Sequence, residues 1–242
     1  MKFLREEGFR PSHNILLFDK KQVHALMVCI MFSIGLLTAM RFFSGRTNLN
    51  VFRFLATFDL LLLSFRLANY KFLQRTFSWG ESLPFHLCNF NVLLCFIAAW
   101  TKNPYLYDFL FAISPFAALS ALLFPDIEAA RYPHFNFRSI EFYTSHTLLI
   151  LMPLIPVLYF GFRPSFAYAP ASGLILLIML FVAGIAAYIT DGNYMFLKRA
   201  PDKTPLKKIE TRFGKKTYRI SLILSFCLIY ILMHLIAWIF RI

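Results

Sequence analysis

The sequence predicts an all-α fold, a polytopic membrane bundle of seven transmembrane helices with the N-terminus cytoplasmic and the C-terminus outside. Three observations lead there. The 242 residues are 59% hydrophobic and only 15% charged and include 30 phenylalanines, more apolar surface than a soluble domain of this size can bury. Seven apolar windows recur, each near the roughly 20 residues needed to cross a hydrocarbon core of about 30 Å. Lysine and arginine crowd into alternate loops, the pattern that keeps those loops in the cytoplasm.

The windows cover residues 23–43, 51–72, 84–100, 105–124, 139–160, 169–190 and 218–240. The first follows the charged stretch MKFLREEGFR, with no small-residue cleavage site after it, so it is expected to act as the insertion signal. The third is the shortest, and the turn-like TKNP separates it from the fourth, which makes those two a tight helical hairpin. Five basic residues lie in the N-terminal tail, two (Lys71 and Arg75) where the second helix gives way to the third, two between the fourth and fifth, and eight between the sixth and seventh. The opposite side holds five, Arg41, Arg46, Lys102, Arg163 and Arg241. Residues 1–22 are thus a cytoplasmic tail and 23–242 the seven-helix domain, with a basic cytoplasmic loop at 191–217.

Most of the net charge of +13 is this asymmetry, which suits anionic lipid head groups rather than nucleic acid. Membrane lipids are therefore the expected partners. The cysteines at 29, 88, 95 and 227 all fall inside windows and form no CxxC pair, so free thiols are expected, with no disulfide framework and no metal site. Neither metal nor cofactor is called for, and the setting is an integral membrane, the cell membrane if the source is bacterial.

Ionisable and polar side chains are expensive inside a bilayer and mark candidate sites. In the second helix Asp59, Arg66, Asn69 and Tyr70 share one face. They read as a structural ion-pair stripe, or else as a site where Arg66 grips a lipid phosphate or carboxylate. In the third helix Pro84 suits the first turn. Cys88 then lies about four residues in, roughly 6 Å deep, with Asn91 and Cys95 on its face and His86 on another side. Tyr143 and His146 are three apart in the fifth helix, His146 being about seven residues or roughly 10 Å from the same surface. The sixth helix ends in ITDGNYMFLKRAP, which brings Asp191, Asn193 and Tyr194 there too. Four helices therefore converge at one leaflet. His24 and His234 read as packing or hydrogen-bonded histidines.

A thiol in apolar surroundings is inert unless a base or positive charge attends it. His146 is the base that matches Cys88 in depth, and His86 is the alternative if the chain unwinds at residues 83–85. The helix dipole is expected to help little, since its influence fades within the first turn. Such a pair performs nucleophilic acyl transfer, the thiolate forming an acyl-enzyme that an alcohol, a lysolipid or water accepts.

LPFHLC at 83–88, a histidine in a later helix at His146, and NYMFL at 193–197 followed by Pro201 resemble the YwaF-like family of multi-pass membrane proteins. Its eukaryotic branch includes acyltransferases that load polyunsaturated acyl chains onto ether lysophospholipids. The resemblance implies a seven-helix protein with Cys88 as nucleophile, His146 as its partner, and Asn193 and Tyr194 shaping the site. The substrate it implies is a lysophospholipid or an acyl ester. A more distant similarity is to androgen-induced membrane hydrolases of fatty-acid esters, which use a threonine with a histidine. The chain departs from the family after NYMFL, where RAPDKTPLKKIETRFGKK is longer and more basic than the expected aromatic and proline-rich link. The competing expectations are a small-solute transporter or lipid-binding protein without covalent chemistry, and a structural membrane protein. In the enzyme reading Arg66, Asn69, His86, Asn91, Tyr143, Asn193 and Tyr194 contact substrate.

Overall fold

The computed structural model describes residues 18, 20–69, 78–124, 135–201 and 204–240, and among them every regular element is helical. The tail 1–17, Tyr70, the loop charges Lys71, Arg75, Arg131 and Lys203, and Arg241 lie outside the described residues. Nine α-helical segments are described. They are α1 Lys20–Met40, α2 Gly45–Ala68, the single turn α3 Trp79–Ser82, α4 Leu87–Thr101, α5 Pro104–Leu123, α6 Phe137–Leu151, α7 Leu154–Tyr159, α8 Ala169–Thr190 and α9 Pro205–Phe240.

Local chemistry sets the boundaries. Ser44 caps α2 by accepting the Thr47 N–H, which carries the helix six residues ahead of the apolar window into polar sequence. The α4–α5 hairpin forms as expected. Lys102 takes a left-handed conformation (φ 53) to end α4, and Asn103 Oδ1 accepts from the N–H groups of Tyr105 and Leu106. Pro104 occupies the first turn of α5, where a missing N–H is harmless. Asn136 caps α6 in the same way, through the Arg138 N–H. The fifth window is one helix in sequence and two in space, because α6 stops at Leu151 and α7 resumes after Pro153.

Two expectations change. Pro84 is not in the first turn of α4: residues 83–86 are irregular, His86 is the N-cap residue, and the helix starts at Leu87. The segment 191–217 is not all loop, since a 3-10 turn forms at Tyr194–Phe196 and α9 begins at Pro205. Within α9, Gly214 (φ 83) breaks the helical path at a conformation only glycine adopts cheaply. A short basic helix, 205–213, thereby leads into the apolar stretch that follows.

Helix α5 forms the centre. Every residue from Tyr107 to Ser114 is buried, and α4, α6, α8 and α9 all pack on it. The outer helices α1, α8 and α9 turn large side chains such as Met31, Ile34, Leu177, Phe181, Leu228 and Trp238 outward. A water-soluble protein does not leave so much apolar surface open; lipid is its natural solvent. Five stretches are long and apolar enough to cross a bilayer: Lys20–Met40, Pro104–Leu123, Phe137–Tyr159, Phe166–Thr190 and Pro205–Phe240. Of the other two windows, α2 carries Arg46, Arg53, Asp59 and Arg66, and α4 is only 15 residues long.

Candidate functional site

Arg66, near the end of α2, joins three helices. Its Nη1 lies 3.1 Å from Glu141 Oε1 on α6, and its Nη2 donates to Asn89 Oδ1 on α4 at 2.6 Å. Glu141 is 3% exposed and also binds Arg138 Nη1 through Oε2 at 3.3 Å. The ionic partner of Arg66 is thus Glu141 and not Asp59, seven residues away on its own helix. Both terminal nitrogens of Arg66 are taken within the protein, so its first effect is to hold α4 against α6.

Three polar side chains beside this hub are buried with unused hydrogen-bonding capacity. Asp59 is fully buried and neither carboxylate oxygen has a hydrogen-bond partner; the Ser145 hydroxyl approaches it outside hydrogen-bond geometry. Asn91 is 1% exposed with both its amide nitrogen and oxygen unpartnered, and the Asn69 Oδ1 at the end of α2 is likewise unpartnered. Each of the three departs from the rule that buried polar groups are paired.

Cys88 has Asp59 as a charged neighbour and Asn91 one turn on along α4. It is the second residue of α4, within the first turn, where the N-terminal end of the helix favours negative charge. The expectation that it lies past that influence is overturned by the late helix start. Asn91 and the buried Cys95 follow on its face, while Arg66 and Asp59 are its charged neighbours. On α6, the His146 Nδ1 donates to the Phe142 carbonyl at 2.8 Å. A carbonyl only accepts, so the neutral ring keeps its lone pair on Nε2, the form a base needs. Arg66 and Glu141 are likewise the charged neighbours of His146. Among the described residues no hydrogen bond joins the Cys88 sulfur to the imidazole.

The remaining sequence-selected residues fall into a second layer. With residues 83–85 unwound, the His86 ring packs edge-on against Tyr194 (5.4 Å) and beside Phe196 (5.6 Å). Tyr194 is fully buried and its hydroxyl donates to the Trp79 carbonyl. Asn193 staples the loop after α8: Oδ1 accepts from Lys198 N (3.0 Å) and Arg199 N (3.1 Å), and Nδ2 donates to Arg199 O (2.9 Å). The Tyr143 backbone carbonyl meets the Cys29 thiol of α1 at 3.9 Å, and its ring packs edge-on against Phe142. His24 is exposed, contrary to its reading as a packing histidine. Outside the apolar windows, the hydrogen bond from Lys198 holds the Asp191 carboxyl below the usual range, and Lys207 does the same for Glu210 on the short basic helix ahead of Gly214.

A second polar cluster, at the opposite end of the bundle, was passed over in the sequence. Asp108 on α5 is fully buried and makes four hydrogen bonds: with His234 Nε2 (2.9 Å) and Ser165 N (3.2 Å) at Oδ1, and with Tyr230 OH (2.7 Å) and Ser172 OH (3.1 Å) at Oδ2. His234 Nδ1 donates to the Tyr230 carbonyl at 2.9 Å, so a single proton is shared between the carboxyl and Nε2. This bears out His234 as a hydrogen-bonded histidine. The signal for the overlooked residues was present, since Glu141 and Asp108 are the sole acidic residues in the 139–160 and 105–124 windows.

Neither a curated protein nor a solved structure matches the chain. The sequence profile of a multi-pass membrane family does, in keeping with the apolar helices and their lipid-facing surfaces. Its match runs over residues 17–236, nearly the whole length, and the chain belongs to the TMEM164 family.

Proposed function

We propose that the chain spans the membrane seven times, with a cytoplasmic N-terminus, and is a lipid acyltransferase or acyl hydrolase whose reaction runs at Cys88 and His146. The observation that carries the reading is a cysteine in the first turn of α4 with the buried, unpartnered Asn91 one turn on and the buried Asp59 among its charged neighbours. The imidazole on α6 has its lone pair on Nε2. The loop charges support the orientation, and the resemblance of LPFHLC and NYMFL to YwaF-like proteins supports the chemistry.

In this reading the Cys88 thiol passes its proton to His146 Nε2, directly or through one water, as sulfur attacks the ester carbonyl of a phospholipid. The S–C bond forms, the ester C–O bond breaks, and His146 returns the proton to the departing alcohol. An acceptor hydroxyl, of a lysophospholipid or of water, then gives its proton to His146 and attacks the thioester. The Cys88 thiolate leaves and is reprotonated. Asn91 and Asn69 offer hydrogen bonds to the lipid, Arg66 positions α4, and Tyr194 with His86 closes the entrance to α4.

Purified protein in lipid nanodiscs with an acyl-labelled phospholipid tests this. A hydroxylamine-sensitive acyl adduct on Cys88 is expected, absent from Cys88→Ser. His146→Ala should slow transfer by about 10²–10⁴-fold, the usual contribution of a general base. Equal transfer by wild type and both variants overturns the proposal. The unmet capacity of Asp59 also suits a non-covalent transporter or lipid-binding role. Uptake into vesicles that falls in Asp59→Asn but persists in Cys88→Ser identifies that role instead.

A further inference from the structure

Helices α8 and α9 both lean on α5, but neither leans substantially on the other. At the end where α8 leaves the bundle and α9 enters it, a groove of about 380 Å³ lies between them. Gly184 and Ala187 of α8 form a shallow floor, and Ile223 and Phe226 of α9 form a wall. The α9 contribution belongs to one stripe, since Arg219, Leu222, Ile223 and Phe226 follow at i, i+3, i+4 and i+7, about 10 Å of helix. Cations sit at one end only, where Arg219 and Lys198 frame the mouth.

We propose that this groove binds one anionic glycerophospholipid, its acyl chain along the α8–α9 slot and its phosphate against Arg219 and Lys198. An apolar slot capped by positive charge at a single end is complementary to a chain with a negative head, and to little else in a bilayer. Arg219 spends its Nε on the Leu197 carbonyl (3.2 Å), which fixes the guanidinium at the mouth and leaves its terminal nitrogens for a phosphate fork. Lys198 is paired at 2.6 Å with Asp191, whose side chain is 99% exposed. Such an exposed pair is weak, so Lys198 exchanges it readily for a lipid phosphate. The lipid would touch the loop whose other side holds Tyr194 and Phe196 against His86, ahead of Cys88. The site does not depend on the acyl-transfer reading.

Native mass spectrometry of the full-length protein, released from nonionic detergent with phosphatidylglycerol or phosphatidylcholine, tests it. Wild type should retain phosphatidylglycerol about fivefold over phosphatidylcholine, the effect of the ~1 kcal/mol that one basic residue contributes at an anionic lipid surface. Arg219→Gln should equalise the two lipids, and Arg219→Lys should keep most of the preference. Gly184→Leu fills the slot and should lower retention of both lipids. A Cβ at Gly184 meets nothing closer than the Leu197 side chain at 4.0 Å, and an unfolding midpoint matching wild type checks that the slot is filled and the fold kept. Cys88→Ser should change none of this, which separates the groove from the chemistry. An unchanged preference in Arg219→Gln, unchanged retention in Gly184→Leu, or full displacement by inorganic phosphate overturns the proposal.

Discussion

Replacing Asp108 by alanine should be among the most damaging single changes in the bundle. The fully buried carboxylate is bonded by groups from α9 (His234 and Tyr230), from α8 (Ser172) and from the segment just before it (Ser165), at 2.7 to 3.2 Å. Neutral hydrogen bonds between membrane helices contribute only ~0.6 kcal/mol on average, so the Ser172 and Tyr230 bonds together account for about 1 kcal/mol. The larger part comes from His234, which is left in the interior without its carboxylate, a loss of about 3–5 kcal/mol when one partner of a buried pair is removed. The contributions overlap, so ~3–5 kcal/mol is the expectation for Asp108→Ala, or a fall in Tm on the order of 10 °C. Asp108→Asn keeps the shape and two acceptor bonds and should lose less, roughly 1–3 kcal/mol. Thermal unfolding in detergent, run as a double-mutant cycle with His234→Ala, measures the coupling directly. A loss below about 1 kcal/mol for Asp108→Ala would show that the cluster amounts to no more than one ordinary bond and would refute the reasoning.

Glu141→Gln removes the charge between Arg66 and Arg138, so it should lower stability by about 3 kcal/mol, read by the same unfolding assay, and loosen α4 from α6. Gly192→Ala places a methyl 2.5 Å from the Gly80 carbonyl and 2.7 Å from the Tyr194 ring. It should cost about 1–3 kcal/mol by overpacking, with altered protection of the 191–197 amides in hydrogen exchange. Glu210 accepts from Lys207 Nζ (2.9 Å) and from the Ala200 N–H (3.3 Å), and its pKa is lowered in the fold by the Lys207 hydrogen bond. Its stabilising effect is therefore present above the ordinary carboxylate range and lost as pH falls through the lowered value. Exchange at the Ala200 amide should rise on acidification, and Glu210→Gln should flatten that dependence.

What the sequence reveals follows from what it encodes locally. Helix α8 coincides with the 169–190 window because an apolar run bounded by proline, glycine and charge has only one reading. TKNP identifies a hairpin because each of its residues acts within two or three positions of itself. Helix α2 starts earlier than its apolar stretch because a Ser44 cap extends helices into polar sequence, where hydropathy is blind. Pro84 permits a first turn at that position, but the packing of Phe85 and His86 on Tyr194, over a hundred residues later, decides otherwise. The site shows the same divide. The convergence of α2, α4 and α6 could be read from spacing and loop charge. The pairing of Arg66 with Glu141 could not, since residues seven apart on one helix share a face without touching, and the true partner lies on another helix.

The Asp108 cluster also has a mechanical consequence. It fastens α8 and α9 to α5 at one end, near Ser172 and His234, whereas at the other end the two helices are separated by the groove. There α9 is tied not to α8 but to the loop that follows it, the Arg219 Nε and the Tyr218 hydroxyl donating to the Leu197 and Phe196 carbonyls. The groove is thus bounded at one end by a buried carboxylate and at the other, about 24 Å of helix away, by two bonds to a loop.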